Sequence, residues 1–469
     1  MKNKMKRTFI VLFAFVFLFL GSCSAKEKTD ENQKNNETET KEENSYIAQI
    51  DPLFEKDFHG EKFRIATDCS DLIFASNTQS ILGKEYYLRN RAIEEKYNVK
   101  ITLTEESGLP TITDRIKTEA LAGTDYCDLV LLKSDQFQTL AASDLLVNVR
   151  TVPYLNTEEN YFNSDSINAV TQGSFSYGVA GDFTFYPENC FAVFFNRDMA
   201  KQSGLPDLYK MVEQNQWDTE NFLLYAEEIF TLSKINGFSV YGFSSEENKE
   251  NLVNIFWAAT GFDFLDNPYG DRPALVYDHN DTQRFISMMR NVLFSTTSYN
   301  TKQQNALENF ANGETFLYIA PISDATKLVG KEASWGIVPI PKLDINQTRY
   351  YSYQDKSFAI AGFAKGTKDL TKSGIITTAL FNASEGLNQK LKVQTYLNQY
   401  FSSPEDAKMM QKIIETPYYD PVEFFGQIDS SYTAATQTIL YRAISSDGDF
   451  NKLYNQYSKM LNKYLDTKI

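Results

Sequence analysis

The chain has 469 residues, 42% hydrophobic and 23% charged, with a formal net charge of −15. That length and composition suit a globular protein of about two domains, and the acidic balance argues against nucleic acid as a partner, because phosphate binding needs a basic face. It identifies no ligand, since surface charge mostly serves solubility.

In chain order, Lys2, Lys4, Lys6 and Arg7 form a basic start, and Phe9 to Leu20 is an unbroken apolar run. The run is shorter than the ~20 residues a bilayer-spanning helix needs and reads as the core of a signal peptide. Leu20-Gly21-Ser22-Cys23 follows and resembles the bacterial lipobox, which implies cleavage after residue 22 and a lipid on Cys23 (diacylglycerol, with palmitate as the usual further acyl group). The alternatives are an ordinary signal peptide with a chance cysteine, or an anchor that stays. Residues 24–45 contain no Val, Ile, Leu, Phe or Met. Such a stretch cannot bury enough apolar surface to offset its ordering entropy, so 23–58 is expected to be a disordered tether reaching roughly 30 Å.

Beyond the tether, strand and helix patterns alternate. Phe63–Thr67 reads as a strand and Tyr86–Tyr97 as a helix, with Leu88, Ala92, Ile93 and Tyr97 at helical spacing. Val99–Leu103 is a second strand, and Thr111–Leu121 a second helix with Gly123 as its C-cap. Asp128–Leu132 is a third, fully buried strand. This βαβαβ order predicts a parallel sheet flanked by helices, with ligands at the carboxyl ends of the strands. Later helices are expected to carry Tyr396, Tyr400, Met409, Met410, Ile413, Tyr441, Leu453, Tyr457 and Leu461 on apolar faces. Cys69, Cys127 and Cys190 are too widely spaced for a zinc pattern or a disulfide framework and read as small buried residues, with one pair left open.

Several segments carry a family resemblance. Ala92 to Ile101 (AIEEKYNVKI) resembles F-E-E-K-Y-G-V-K-V. Leu121 to Val130 resembles A-A-G-T-x-Y-D-L-V with a cysteine inserted, and Leu140 to Leu146 resembles L-A-x-x-G-x-L with Ser143 or Asp144 where glycine is usual. Phe191 to Met199 resembles L-x-Y-N-K-D-L. Gly204-Leu205-Pro206 with Trp217 to Phe222, then Phe310 to Thr315, then Trp335 to Pro341, continue the series in order. The pattern is similar to family 1 extracellular solute-binding proteins, the maltose-binding-protein-like group of bacterial ABC importers. It implies an α/β, two-lobed periplasmic-binding-protein-like fold (type II), each lobe a mostly parallel sheet flanked by helices. The first lobe is expected at 61–181 plus 318–384 and the second at 191–315 plus 385–469, with hinge crossings at 182–190 and 316–321.

The resemblance also implies function: capture of a small solute, a mono- or oligosaccharide by family habit, delivery to an ABC permease, an extracytoplasmic lipid-anchored location and a monomeric state. A polyamine or peptide receptor, a sensory co-receptor and a secreted glycosidase are the alternatives. There are only two histidines, His59 and His279, in unrelated contexts, and no H-E-x-x-H, G-x-S-x-G, P-loop or G-x-G-x-x-G pattern. No catalysis, metal or cofactor is therefore expected.

A sugar receptor wants aromatic platforms and fixed polar groups. In the first crossing Asp182, Phe183 and Tyr186 are candidate contacts; alternatively they shape the hinge. Asp135 follows a strand's carboxyl end and is a contact or a helix N-cap. Asn77 follows the first strand by a longer loop. Trp257 is a stacking platform or a core residue, and Tyr318 in the return crossing is a similar case. Tyr353 belongs to the cluster Tyr350-Tyr351-Ser352-Tyr353, whose alternate side chains must face opposite ways.

Overall fold

The computed structural model describes residues 54–75, 79–104, 111–266, 274–295, 298–299, 305–354, 358–428, 433–446 and 448–467. The leader, Cys23 and nearly all of the tether lie outside these.

The first lobe begins β1 (Glu61–Thr67), α1 (Ile81–Tyr97), β2 (Val99–Leu103), α2 (Ile112–Ala122), β3 (Leu129–Lys133) and α3 (Ser134–Ala142). Local chemistry sets these bounds. Ser80 caps α1 by accepting from the Gly83 amide, and Asn98 ends it at φ 46°. Thr111 caps α2 through the Asp114 amide, and Gly123 closes it at φ 68°, as its sequence position predicts. Asp144, standing where glycine is usual, adopts φ 54°. β1 is parallel to both β2 and β3, in registers that align Phe63 with Ile101 and Ile65 with Leu129. Phe63 and Ile65 are buried together with Ile93 of α1 and with Ile376 and Leu380.

The short helix α4 (Ser164–Ala169) precedes the first crossing, which enters β4 (Phe191–Asn196). Then come α5 (Thr219–Ile235), β5 (Tyr241–Ser245), α6 (Lys249–Thr260), β6 (Thr315–Pro321) and β7 (Trp335–Pro339). They form a second four-stranded sheet in the order β7-β4-β6-β5. This corrects the expected second crossing. Residues 316–321 are a strand of the second sheet, β6, antiparallel to β4 and parallel to β5, so Tyr318 does not return to the first lobe. β7 pairs with the other side of β4. The chain returns only after β8 (Ser352–Tyr353), where β9 (Ala359–Gly362) pairs antiparallel with β3 and completes the first sheet as β9-β3-β1-β2.

α7 (Leu370–Asn382) packs on α1 and β1. The last third, expected wholly in the second lobe, serves both. α8 (Leu387–Gln399) lies against the crossing and α1, while α9 (Pro404–Ile414) covers β7. β10 (Pro417–Tyr418) pairs with β8, and α10 (Pro421–Ile428) docks on α3 and α4 of the first lobe. α11 (Phe450–Thr467) closes the described chain. The larger core therefore runs without a break from Phe137 and Leu140 in the first lobe into the second. Cys69, Cys127 and Cys190 are buried and unpaired.

Candidate ligand site at the lobe junction

The first crossing begins where Val179 bridges to Ala361 beside β9. At Gly181 a Cβ would run into the carbonyl oxygen of Tyr161, so only glycine allows this close approach. Asp182 then turns toward α8. Gly386, which precedes that helix, is left-handed and has no capping side chain. Asp182 replaces it, accepting from the amides of Asn388 (2.8 Å) and Gln389 (3.2 Å). Asn388 answers by donating its side-chain amide to the Asp182 carbonyl (2.6 Å) and accepting from Tyr86 Oη (2.6 Å). Burial pushes the Asp182 carboxyl up to about 7, against these donors, which favour the anion.

Phe183 is fully buried, edge-on to Phe381 at 5.1 Å, with the Arg89 guanidinium 5.2 Å from its ring centre. Tyr186 is 8% exposed and donates its hydroxyl to Asp71 (2.8 Å). The crossing is thus bolted to the loop after β1 on one side and to α8 on the other.

A cavity of about 500 Å³ opens beside it. Its first wall is residues 157–164, including Glu158, Glu159 and Tyr161. Its floor includes Asp182 and Phe185. Its second wall is made by Glu385, Gln389, Glu415 and Tyr419. Carboxylates accept from hydroxyl or ammonium groups, and aromatic rings receive apolar C–H faces. The Tyr161 phenol is pushed up to about 12, first by burial and then by Glu159 and Glu385, which places both carboxylates near one hydroxyl.

Of the residues singled out from the sequence, Asp182 alone lines this cavity. Asn77 lies outside the described residues. Asp135 is exposed in the first turn of α3 and accepts from the Gln136 amide (2.8 Å); it is not the N-cap, because the helix starts a residue earlier. Trp257 is 1% exposed, stacked on Phe264 at 4.5 Å and edge-on to Phe285 at 5.1 Å, all within the second lobe. Tyr318 is 1% exposed, stacked on Phe310 at 5.6 Å, and donates to Asp324 (2.7 Å). Tyr353 sits in β8, buried edge-on to Phe191 at 5.5 Å. Trp257 and Tyr318 therefore lie in the core, Phe183 and Tyr186 pack within the hinge crossing, and Tyr353 is buried beside it.

Glu159, Phe185, Glu385, Glu415 and Tyr419 also line the cavity, and none of them is among the candidates read from the sequence. Phe185 belongs to the run already suspected of lining the junction, so its position was a signal. The others lie in turns with no motif.

A model of the bacterial extracellular solute-binding protein family matches residues 90–412, well over half of the chain. The chain belongs to the bacterial extracellular solute-binding proteins. Solved structures with similar folds include an uncharacterised Listeria monocytogenes EGD-e protein (TM-score 0.58, 13% identity, covering 87% of this chain and 99% of that one). Another is the galacto-N-biose/lacto-N-biose I-binding protein of a Bifidobacterium longum ABC transporter (TM-score 0.53, 11% identity, 88% and 98%). The maltose-binding MalE of Listeria monocytogenes is a third (TM-score 0.51, 14% identity, 87% and 99%). No curated protein matches this chain in sequence. At these identities the likeness establishes the two-lobed fold. No helix among the described residues is long and apolar enough to cross a membrane.

Proposed function

We propose that this solute-binding protein captures a saccharide at the lobe junction and delivers it to the permease of an ABC importer, working as a monomer held to the outer face of the membrane by a lipid on Cys23. The observation that carries the proposal is the cavity itself, where carboxylates from both walls stand beside Tyr161, Phe185 and Tyr419. Sugar hydroxyls would donate to Glu159, Glu385 and Glu415, and the apolar ring face would lie on the aromatic side chains. Two proteins of the same fold support this reading: one is solved with lacto-N-biose and one with maltose. The protein supplies walls and closure and transforms nothing. Closing the lobes buries the solute, and the closed form is what the permease receives.

Thermal-shift measurement of the protein against mono- and oligosaccharides, polyamines and peptides tests this. A bound solute raises the melting temperature by mass action, by roughly 2.7 kcal/mol of stability at a hundredfold excess over Kd. Saccharides are expected to give the shift. A shift with polyamines or peptides alone, or cleavage of an oligosaccharide during incubation, would overturn the proposal.

A further inference from the structure

The charge of the junction cavity is one-sided. Glu158 and Glu159 of the first wall, Asp182 of the floor, and Glu385 and Glu415 of the second wall all line it, and among the described residues no lysine, arginine or histidine does. Several buried or half-buried carboxylates elsewhere in this chain have cationic partners. Asp128 is paired with Arg64 and Lys372, Asp406 with Arg197, and Glu188, on the same crossing but outside the cavity, with Lys392. Glu158, Glu159, Glu385 and Glu415 enter no ion pair among the described residues. The imbalance lies in the lining of the cavity.

Hydroxyls donate to such a lining without charge conflict, and an ammonium donates with charge assistance. A ligand carboxylate or phosphate meets repulsion from both walls and finds no cation among the described lining residues to offset it. Resting on the saccharide reading above, we infer that the solute taken here is a neutral or amine-bearing saccharide and that acidic saccharides are excluded. Glu158, Glu159, Glu385 and Glu415 are solvent-exposed, so their field is screened over about 10 Å at moderate salt. The discrimination is thus expected at about tenfold, not several orders of magnitude.

The test is calorimetric titration of the whole protein with two matched sets: glucose, glucosamine and glucuronate with their dimers, and the galactose equivalents. Spermidine is included as a non-sugar amine. In any set that binds, the amine-bearing member should match or exceed the neutral one. The acidic member should bind about tenfold more weakly at low ionic strength, with the gap shrinking in high salt. The double variant Glu385→Gln, Glu415→Gln should narrow the gap, read as the ratio of the acidic to the neutral affinity, even where it weakens both. An acidic member that binds as tightly as its neutral partner overturns the inference and leaves the saccharide reading standing. So does a gap unchanged in the double variant, since the ligand would then lie elsewhere. Binding of spermidine alone, or of nothing in the panel, removes the saccharide reading and the inference with it.

Discussion

Trp257 and Asp182 show how burial decides what a side chain can do. Trp257 is enclosed by Phe262, Phe264, Tyr277 and Phe285. Removing it leaves a void that so tight a cluster cannot fill. Trp257→Ala should therefore cost roughly 3–5 kcal/mol of stability in urea unfolding, with or without solute. Loss of solute binding at unchanged stability would instead restore its role as a platform. Asp182 carries a different signature. Its folded carboxyl sits near 7 against 3.8 ordinarily, so the folded state holds its proton more tightly than the unfolded chain. The stabilisation is complete below the unfolded value and is lost as pH rises through the folded one. Asp182→Asn has no such proton to lose. In unfolding titrations from pH 4 to 8, the variant should gain on the wild type up to about pH 7 and level off above it. A constant difference across that range would mean that the carboxyl keeps its ordinary value.

Among the elements, α10 follows the second-lobe helix α9 and packs on the first lobe. Pro421 opens it, where a missing amide costs nothing, and Asp420 accepts from the Val422 amide (2.8 Å). Phe424 and Phe425 are buried, with rings 6.2 and 6.4 Å from that of Tyr177 in the first lobe. Both hold α10 against the first lobe, so truncating them should loosen that docking before it unfolds either lobe. The double variant Phe424→Ala, Phe425→Ala is expected to raise the radius of gyration in small-angle scattering and to weaken solute binding at nearly unchanged helix content. Each ring removed forfeits up to roughly 3–5 kcal/mol of packing. An unchanged radius would mean that the junction is held elsewhere, by Asp182 and α8 among other contacts.

At the scale of the whole molecule, legibility tracked the range of the interactions. β2 begins and ends where its alternating pattern predicts, and β1, α1, α2 and β3 fall within a few residues of their expected bounds, apart from a longer start to α1. These elements are written in caps, in a C-terminal glycine and in periodicities of 2 and 3.6, which a linear reading detects. Tyr396, Met409, Met410, Ile413 and Leu461 are buried as their spacing implies. The expected second crossing differs because β6 is a continuous, almost wholly buried apolar run. Such a run has the same local pattern in either sheet, and only hydrogen bonding to β4 and β5 assigns it to the second.

The sequence by itself therefore determined the βαβαβ start of the first lobe and, through ordered motifs, the family. The basic start, apolar run and Cys23 support lipid anchoring by equally local chemistry. Tertiary structure alone decided which side chains meet at the site. The cavity draws on residues 157–164, 181–185, 385–389 and 415–419, stretches far apart along the chain. An aromatic side chain looks alike in sequence whether it lines a cavity, as Tyr419 does, or fills a core, as Trp257 does. What separates them is the packing around each ring, which exists only once strands from distant parts of the chain have paired and the C-terminal helices have closed over both lobes.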